Sequence, residues 1–145
     1  MSEKQARDRQ AILDLFDRWA TANRNKDIDA IMALYHPDIC SYDAVGPLQV
    51  VGGEDYRAHW EKCLPKDAEM IVEMQNPTIR VSGHLGVAGF LIRCGMRDQD
   101  GTEQASWMRS SYHLEKRDGQ WRIAHEHFSV PFDIDNGQAQ FGLEP

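Results

Sequence analysis

The sequence is short of basic residues and of cysteine, and it has no long apolar run. Sixteen Lys and Arg stand against 23 Asp and Glu, a net charge of −7 at pH 7. Phosphate backbones need a basic face, and no cluster of Lys and Arg overrides this balance, which argues against nucleic acid as a partner. No apolar stretch approaches the roughly 20 residues of a membrane-crossing helix, so no membrane partner is expected. The opening Met1-Ser2-Glu3-Lys4-Gln5-Ala6-Arg7-Asp8 is polar, and no secretory leader is expected from it. The three cysteines, Cys40, Cys63 and Cys94, are odd in number and unrelated in spacing. That fits neither a disulfide framework nor a zinc clip and predicts reduced, buried thiols in a cytoplasmic protein. Repeats, low-complexity runs and linkers are also missing. A single domain over residues 1–145 is expected, long enough to bury roughly two-thirds of the surface of the unfolded chain.

What is present is clear periodicity. From about Lys4 to Asn23, Ile12, Leu15, Phe16 and Trp19 recur at helical spacing. Asp27 then reads as the cap of a shorter helix with Ile28, Ile31, Met32, Leu34 and Tyr35 as its stripe, stopped by His36-Pro37-Asp38. Short strands are expected at Ile39 to Asp43 and Leu48 to Val51. A third helix, Glu54 to Leu64, carries Tyr56, His59, Trp60 and Cys63 on or near one side. After Ala68 the period becomes that of strands: Met70 to Met74, an interruption at Asn76-Pro77, Ile79 to Val81, then Leu85 to Met96, Ser106 to Lys116 and Trp121 to Val130. Asp98-Gln99-Asp100-Gly101 and Arg117-Asp118-Gly119-Gln120 supply the hairpin turns. Residues 131–145 read as a surface arm. Three helices followed by a meander mean α+β: a curved, strongly twisted antiparallel sheet wrapped around the helices, a cone with one pocket.

This layout resembles the nuclear transport factor 2-like (cystatin-like) superfamily. The resemblance rests on Asp27-Ile28-Asp29-Ala30-Ile31 feeding Leu34-Tyr35-His36-Pro37-Asp38, and on the late Asp118-Gly119-Gln120-Trp121-Arg122-Ile123. It runs from about Lys4 to Pro131. Within the superfamily the chain is most similar to SnoaL-like and ketosteroid isomerase-like proteins. That implies cofactor-independent acid–base chemistry of an isomerase, cyclase or dehydratase type on a small apolar or aromatic molecule. The ending His125-Glu126-His127-Phe128-Ser129 also resembles the calcium/calmodulin-dependent kinase association domain, a non-enzymatic assembly module, which implies the alternative of ligand binding or oligomerisation.

The isomerase resemblance places Asp43 on the family's general-base aspartate, Trp19 where its oxyanion tyrosine stands, and Ser110 near its protonated aspartate. Tyr35 keeps a supporting tyrosine position, and Trp60 replaces another. An indole N–H and a serine hydroxyl donate hydrogen bonds, but not as a strong shared-proton network, so steroid isomerisation is disfavoured.

The residues themselves leave two phases for the last strand. Uninterrupted alternation puts His125 and His127 on one face with Trp121 and Ile123. With His113 they would make a three-histidine set, but metal is not the favoured reading. A bulge after Ile123 instead turns Glu126 and Phe128 inward with Met108, Ser110 and Tyr112, and leaves His125 and His127 at a subunit interface. This second phase is favoured, and a buried Glu126 becomes a second acid–base candidate. Arg93 points to solvent or pairs inside, where it would neutralise Glu126 or hold a carboxylate ligand. The outer face, with Trp107, Arg109 and His113, predicts a homodimer.

Overall fold

Ser2 starts the first helix. In the computed structural model, which describes residues 1–145, its hydroxyl accepts the Gln5 N–H at 3.2 Å and Gln5 Oε1 accepts the Ser2 N–H at 3.0 Å. This reciprocal cap opens α1 (Glu3–Arg24), whose residues Ile12, Leu15, Phe16, Trp19 and Asn23 form one buried stripe. Lys26, at φ 54°, turns the chain. Asp27 then caps α2 (Ile28–Met32) by accepting the Ala30 N–H at 3.0 Å. There follow β1 (Tyr35–Tyr42), β2 (Val50–Val51), α3 (Gly53–Cys63), β3 (Glu69–Met74), β4 (Thr78–Ser82), β5 (Leu85–Arg97), β6 (Glu103–Arg117) and β7 (Gln120–Ser129).

The fold is α+β: three helices and a curved seven-stranded sheet in which six strands run in the order β2-β1-β7-β6-β5-β3 and β4 pairs with β5 beside β3. Two expectations are corrected. Tyr35 and His36-Pro37-Asp38 do not continue and stop α2; they are the first half of β1. Pro37 is tolerated there because pairing with β7 is interrupted between Tyr35 and Cys40, so its missing N–H breaks no ladder. The sheet is also mixed, because β1 runs parallel to β7 while every other pair is antiparallel. Most of the chain separates β1 from β7, so no tight turn forces them antiparallel.

Three features of the sheet position the interior. Both β3 and β4 pair along β5, with Asn76-Pro77 between them. The β6–β7 turn has Asp118 at φ 51° and Gly119 at φ 78°, the left-handed pair that suits a two-residue hairpin. Further along, His113 faces His125 but Leu114 faces Ile123, so Ala124 is a bulge. The bulge keeps Trp121 and Ile123 buried and then turns Glu126 and Phe128 to the same interior face.

The first helix is fastened to this hairpin by Asp8. Its carboxylate accepts Lys116 Nζ at 2.9 Å and Trp121 Nε1–H at 3.0 Å. These two bonds hold its pKa below the usual carboxylate range. Close approach continues at Gly86, where a Cβ would lie 2.9 Å from Ile12 Cδ1. Residues beyond β7 fold on themselves, with Phe132 paired to Ala139 and Gln140 N–H on Pro131 O at 2.8 Å.

Candidate functional site

Between α1, α3 and the open end of the sheet lies a cavity of about 140 Å³. Ten of its twelve lining residues are hydrophobic, and Asp43 is the only charged one. Trp19 of α1 stacks on Phe128 of β7, with centroids 6.3 Å apart, and meets Trp60 of α3 edge to face at 6.1 Å. These three aromatics wall the cavity with Met108.

Asp43 follows β1 and begins the loop 43–49. Its Oδ2 lies 2.7 Å from Nε2 of His59 on α3, and the imidazole is nearly buried. With Nε2 protonated, His59 donates to the carboxylate and fixes its direction. The Tyr56 ring stacks on His59 at 5.9 Å. Gly46 closes the loop over the imidazole. It takes φ +84°, and a Cβ there would lie 3.0 Å from His59 Cε1. Cys63, one turn beyond His59, places Sγ 3.7 Å from the same Nε2. This is not a nucleophilic triad, since thiol and carboxylate meet one nitrogen and the other is left to the loop side. Burial, then the Asp43 charge, raises the Cys63 thiol and pushes that of Cys94 up to about 12, so both stay protonated.

Behind the cavity wall lies a second polar centre. Glu126 is fully buried. It receives hydrogen bonds from Tyr56 Oη–H, from Tyr35 Oη–H at 2.8 Å and from Ser41 Oγ–H at 3.2 Å. Tyr35 in turn accepts the Trp19 indole N–H at 2.8 Å. Burial pushes the Glu126 carboxyl up to about 7, against the three hydroxyls that favour its charged form. The tyrosine hydroxyls are raised well above their usual range by burial and by the carboxylate.

The residues expected from sequence therefore fall into three groups. Asp43, Trp19, Trp60, Met108 and Phe128 line the cavity. Glu126, Tyr35, Ser110 and Tyr112 are buried but lie off its wall. The donors expected at Trp19 and Ser110 are spent internally, on Tyr35 and on the Phe90 carbonyl at 2.7 Å. Arg93, His125 and His127 lie on the opposite face of the sheet. The Arg93 guanidinium binds Glu73 at 3.1 Å and Glu103 at 2.9 Å and does not meet Glu126. His125 Nδ1 bonds the Cys40 carbonyl at 2.7 Å, and Tyr42 packs edge-on against His125 and His127. Burial, with His113 and His127 nearby, lowers the His125 pKa. Sequence reasoning missed His59 as the partner of Asp43. The signal was the run Tyr56, His59, Trp60, Cys63, which falls at i, i+3, i+4, i+7 of one helix face.

Residues 12–133 match the SnoaL-like domain family. The chain is similar to an NTF2-like protein of unknown function from Pseudomonas putida KT2440, at 38% identity, TM-score 0.85, with 92% of this chain and 94% of that one covered. It shares its fold with an NTF2-like superfamily protein from Salmonella enterica, at 22% identity, TM-score 0.76 and 90% and 96% coverage. The same holds for the calcium/calmodulin-dependent kinase association domain of C. elegans, at 17% identity, TM-score 0.71 and 89% and 100% coverage. Among curated proteins the sequence has no match.

Proposed function

The chain belongs to the SnoaL-like domain family, and from that premise we propose that it is a small-molecule enzyme that moves a proton on an apolar or aromatic ligand held in the cavity. One observation carries this reading: the single charged group on a largely apolar wall is Asp43, and its carboxylate is held by His59 at 2.7 Å. A carboxylate that is oriented and largely shielded from water suits proton abstraction. In the step, Asp43 takes the proton of an activated ligand C–H. The C–H electron pair moves into the adjacent carbonyl, giving an enolate. Asp43 then returns the proton to another atom of the ligand or to the same one. His59 keeps the carboxylate pointed at the cavity, and Glu126 holds the Tyr56 hydroxyl so that the Tyr56 ring stays on the wall.

The test is exchange of α-protons of small enolisable ketones into D2O, followed by NMR. Catalysed exchange above buffer is expected, lost by about 10²- to 10⁴-fold in Asp43→Asn, with little change in melting temperature. No catalysed exchange with any ketone, or equal exchange by the variant, would sink the reading. Marked unfolding of Asp43→Asn would make Asp43 a structural cap of its loop.

A second reading, assembly, is favoured by the outer sheet face. Tyr42, Val87 and Leu85 are 40%, 47% and 61% exposed there, beside His113, His125 and His127. This face supports a homodimer built from two copies of the sheet, with or without catalysis inside each cone.

A further inference from the structure

We propose that the cavity is a receptor for an organic cation: a carbonyl compound with an apolar or aromatic body and a quaternary or protonated amine beside its acidic C–H. The inference rests on the acid–base reading and specifies the substrate class of that site.

The wall carries charge of one sign. Asp43 lies on it, and none of the twelve lining residues is Lys, Arg or His. The carboxylate has no Lys or Arg partner, and its one ion-pair contact is His59 at 2.7 Å. A neutral His59 donates a hydrogen bond and leaves the negative charge in place. A ligand cation beside Asp43 pairs with that charge in a surround of low polarity, where the attraction exceeds its value in water. An anionic ligand is repelled there.

The remaining wall also suits a cation. The rings of Trp19, Tyr56, Trp60 and Phe128 line the cavity, and a ring face attracts a positive charge. The cavity is open to solvent, so the body of the ligand is free to extend through its mouth.

The chemistry points the same way. Enolisation of a neutral ketone moves the negative charge from Asp43 to the ligand oxygen, and the side chains of the wall offer that oxygen little. The Trp19 N–H is given to Tyr35, the Asn23 amide is turned to the Trp19 carbonyl at 3.0 Å, and the Tyr56 hydroxyl is given to Glu126. Trp60 Nε1 is enclosed and does not reach the cavity. Cys63 and Cys94 are on the wall, but a thiol is a weak donor. A fixed positive charge beside the C–H supplies what the wall lacks. Asp43 takes the proton, the C–H electron pair becomes the C=C bond, and the carbonyl π pair moves to oxygen. The product is a zwitterion without net charge, with the ammonium next to the enolate.

The test compares three ketones of one size by titration calorimetry at pH 8: phenacyltrimethylammonium, its uncharged isostere neopentyl phenyl ketone, and the anionic β-benzoylpropionate. Phenacyltrimethylammonium is expected to bind about tenfold more tightly than the isostere, and β-benzoylpropionate most weakly. Asp43→Asn is expected to bind the isostere as before and to lose most of the preference for the cation. Equal or weaker binding of the cation by the wild type, no measurable binding of it at millimolar concentration, or a full preference kept by Asp43→Asn overturns the proposal. Failure of the acid–base reading is separable, because it shows as absent α-proton exchange in both phenacyltrimethylammonium and neopentyl phenyl ketone while the cation is still preferred. Conversely, catalysed exchange of the neutral ketone by a protein without cation preference keeps that reading and removes this one.

Discussion

Glu126 is a carboxylate in the interior with hydroxyls and no cation for partners. Burial is the larger influence, and it pushes the carboxyl up to about 7 from the usual 4.5. The folded protein therefore holds its proton more tightly than the unfolded chain does. Stability tied to this group is complete below about pH 4.5 and is lost as pH rises through about 7. Glu126→Gln cannot ionise, so the stability of the wild type relative to this variant should fall across that window by on the order of 3 kcal/mol. Urea denaturation at intervals from pH 4.5 to 8 checks this, and parallel curves for the two proteins would disprove it. Asp8 differs in kind. Its partners lower its pKa, so its contribution is present at neutral pH and lost in acid. Asp8→Ala should cost about 2 kcal/mol at pH 7, since it strands Trp121 Nε1–H and a half-buried Lys116. A thermal midpoint equal to that of the wild type would contradict it. The role of Asp8 is not legible in the chain. An aspartate six residues into a helix looks like solvated surface until a strand more than a hundred residues later meets it.

At the scale of elements, the sequence carried more. Helix caps, hairpin turns and strand periods are local, so α1, α3 and β5 to β7 lie within a few residues of their expected places. The phase of β7 follows from burial on its neighbour, because Tyr112 and Leu114 must face inward and only a bulge brings Glu126 and Phe128 to the same side. The Tyr35 to Asp38 stretch is not legible as a strand, because a proline after a helical stripe reads as a helix stop whereas an interrupted ladder accommodates one in a strand. The Asp43–His59 contact was hidden for another reason: it depends on how the loop 43–49 folds back on α3. Gly46 is the point where that fold is decided. Gly46→Ala meets both an unfavourable φ and the imidazole. It should lower stability by about 1 to 2 kcal/mol and reduce ketone α-proton exchange by displacing His59. Wild-type stability and exchange together in this variant would show that the loop does not bear on the dyad.

For the molecule as a whole, the curved sheet separates two environments. Its concave side holds the helices, the cavity and Glu126; its convex side carries the ion-paired Arg93 and the histidine rows. A dimer through the convex side would leave both cavities open, so assembly and ligand uptake would be independent. Light scattering at micromolar concentration should give twice the chain mass, and a monomer would refute the interface. Burial lowers the His125 pKa, and a proton taken up there in acid opposes such contact, so dissociation should increase as pH falls below the usual histidine range.

The four tryptophans divide the molecule in the same way. Trp19 and Trp60 face the cavity, Trp121 is fastened to Asp8, and Trp107 lies opposite Arg93 on the convex side. The chain thus carries its own optical labels: one pair would report occupancy, one indole the seating of α1, and one the proposed contact between copies. Three single Trp→Phe replacements, at Trp60, Trp121 and Trp107, would let intrinsic fluorescence follow each event without any added dye.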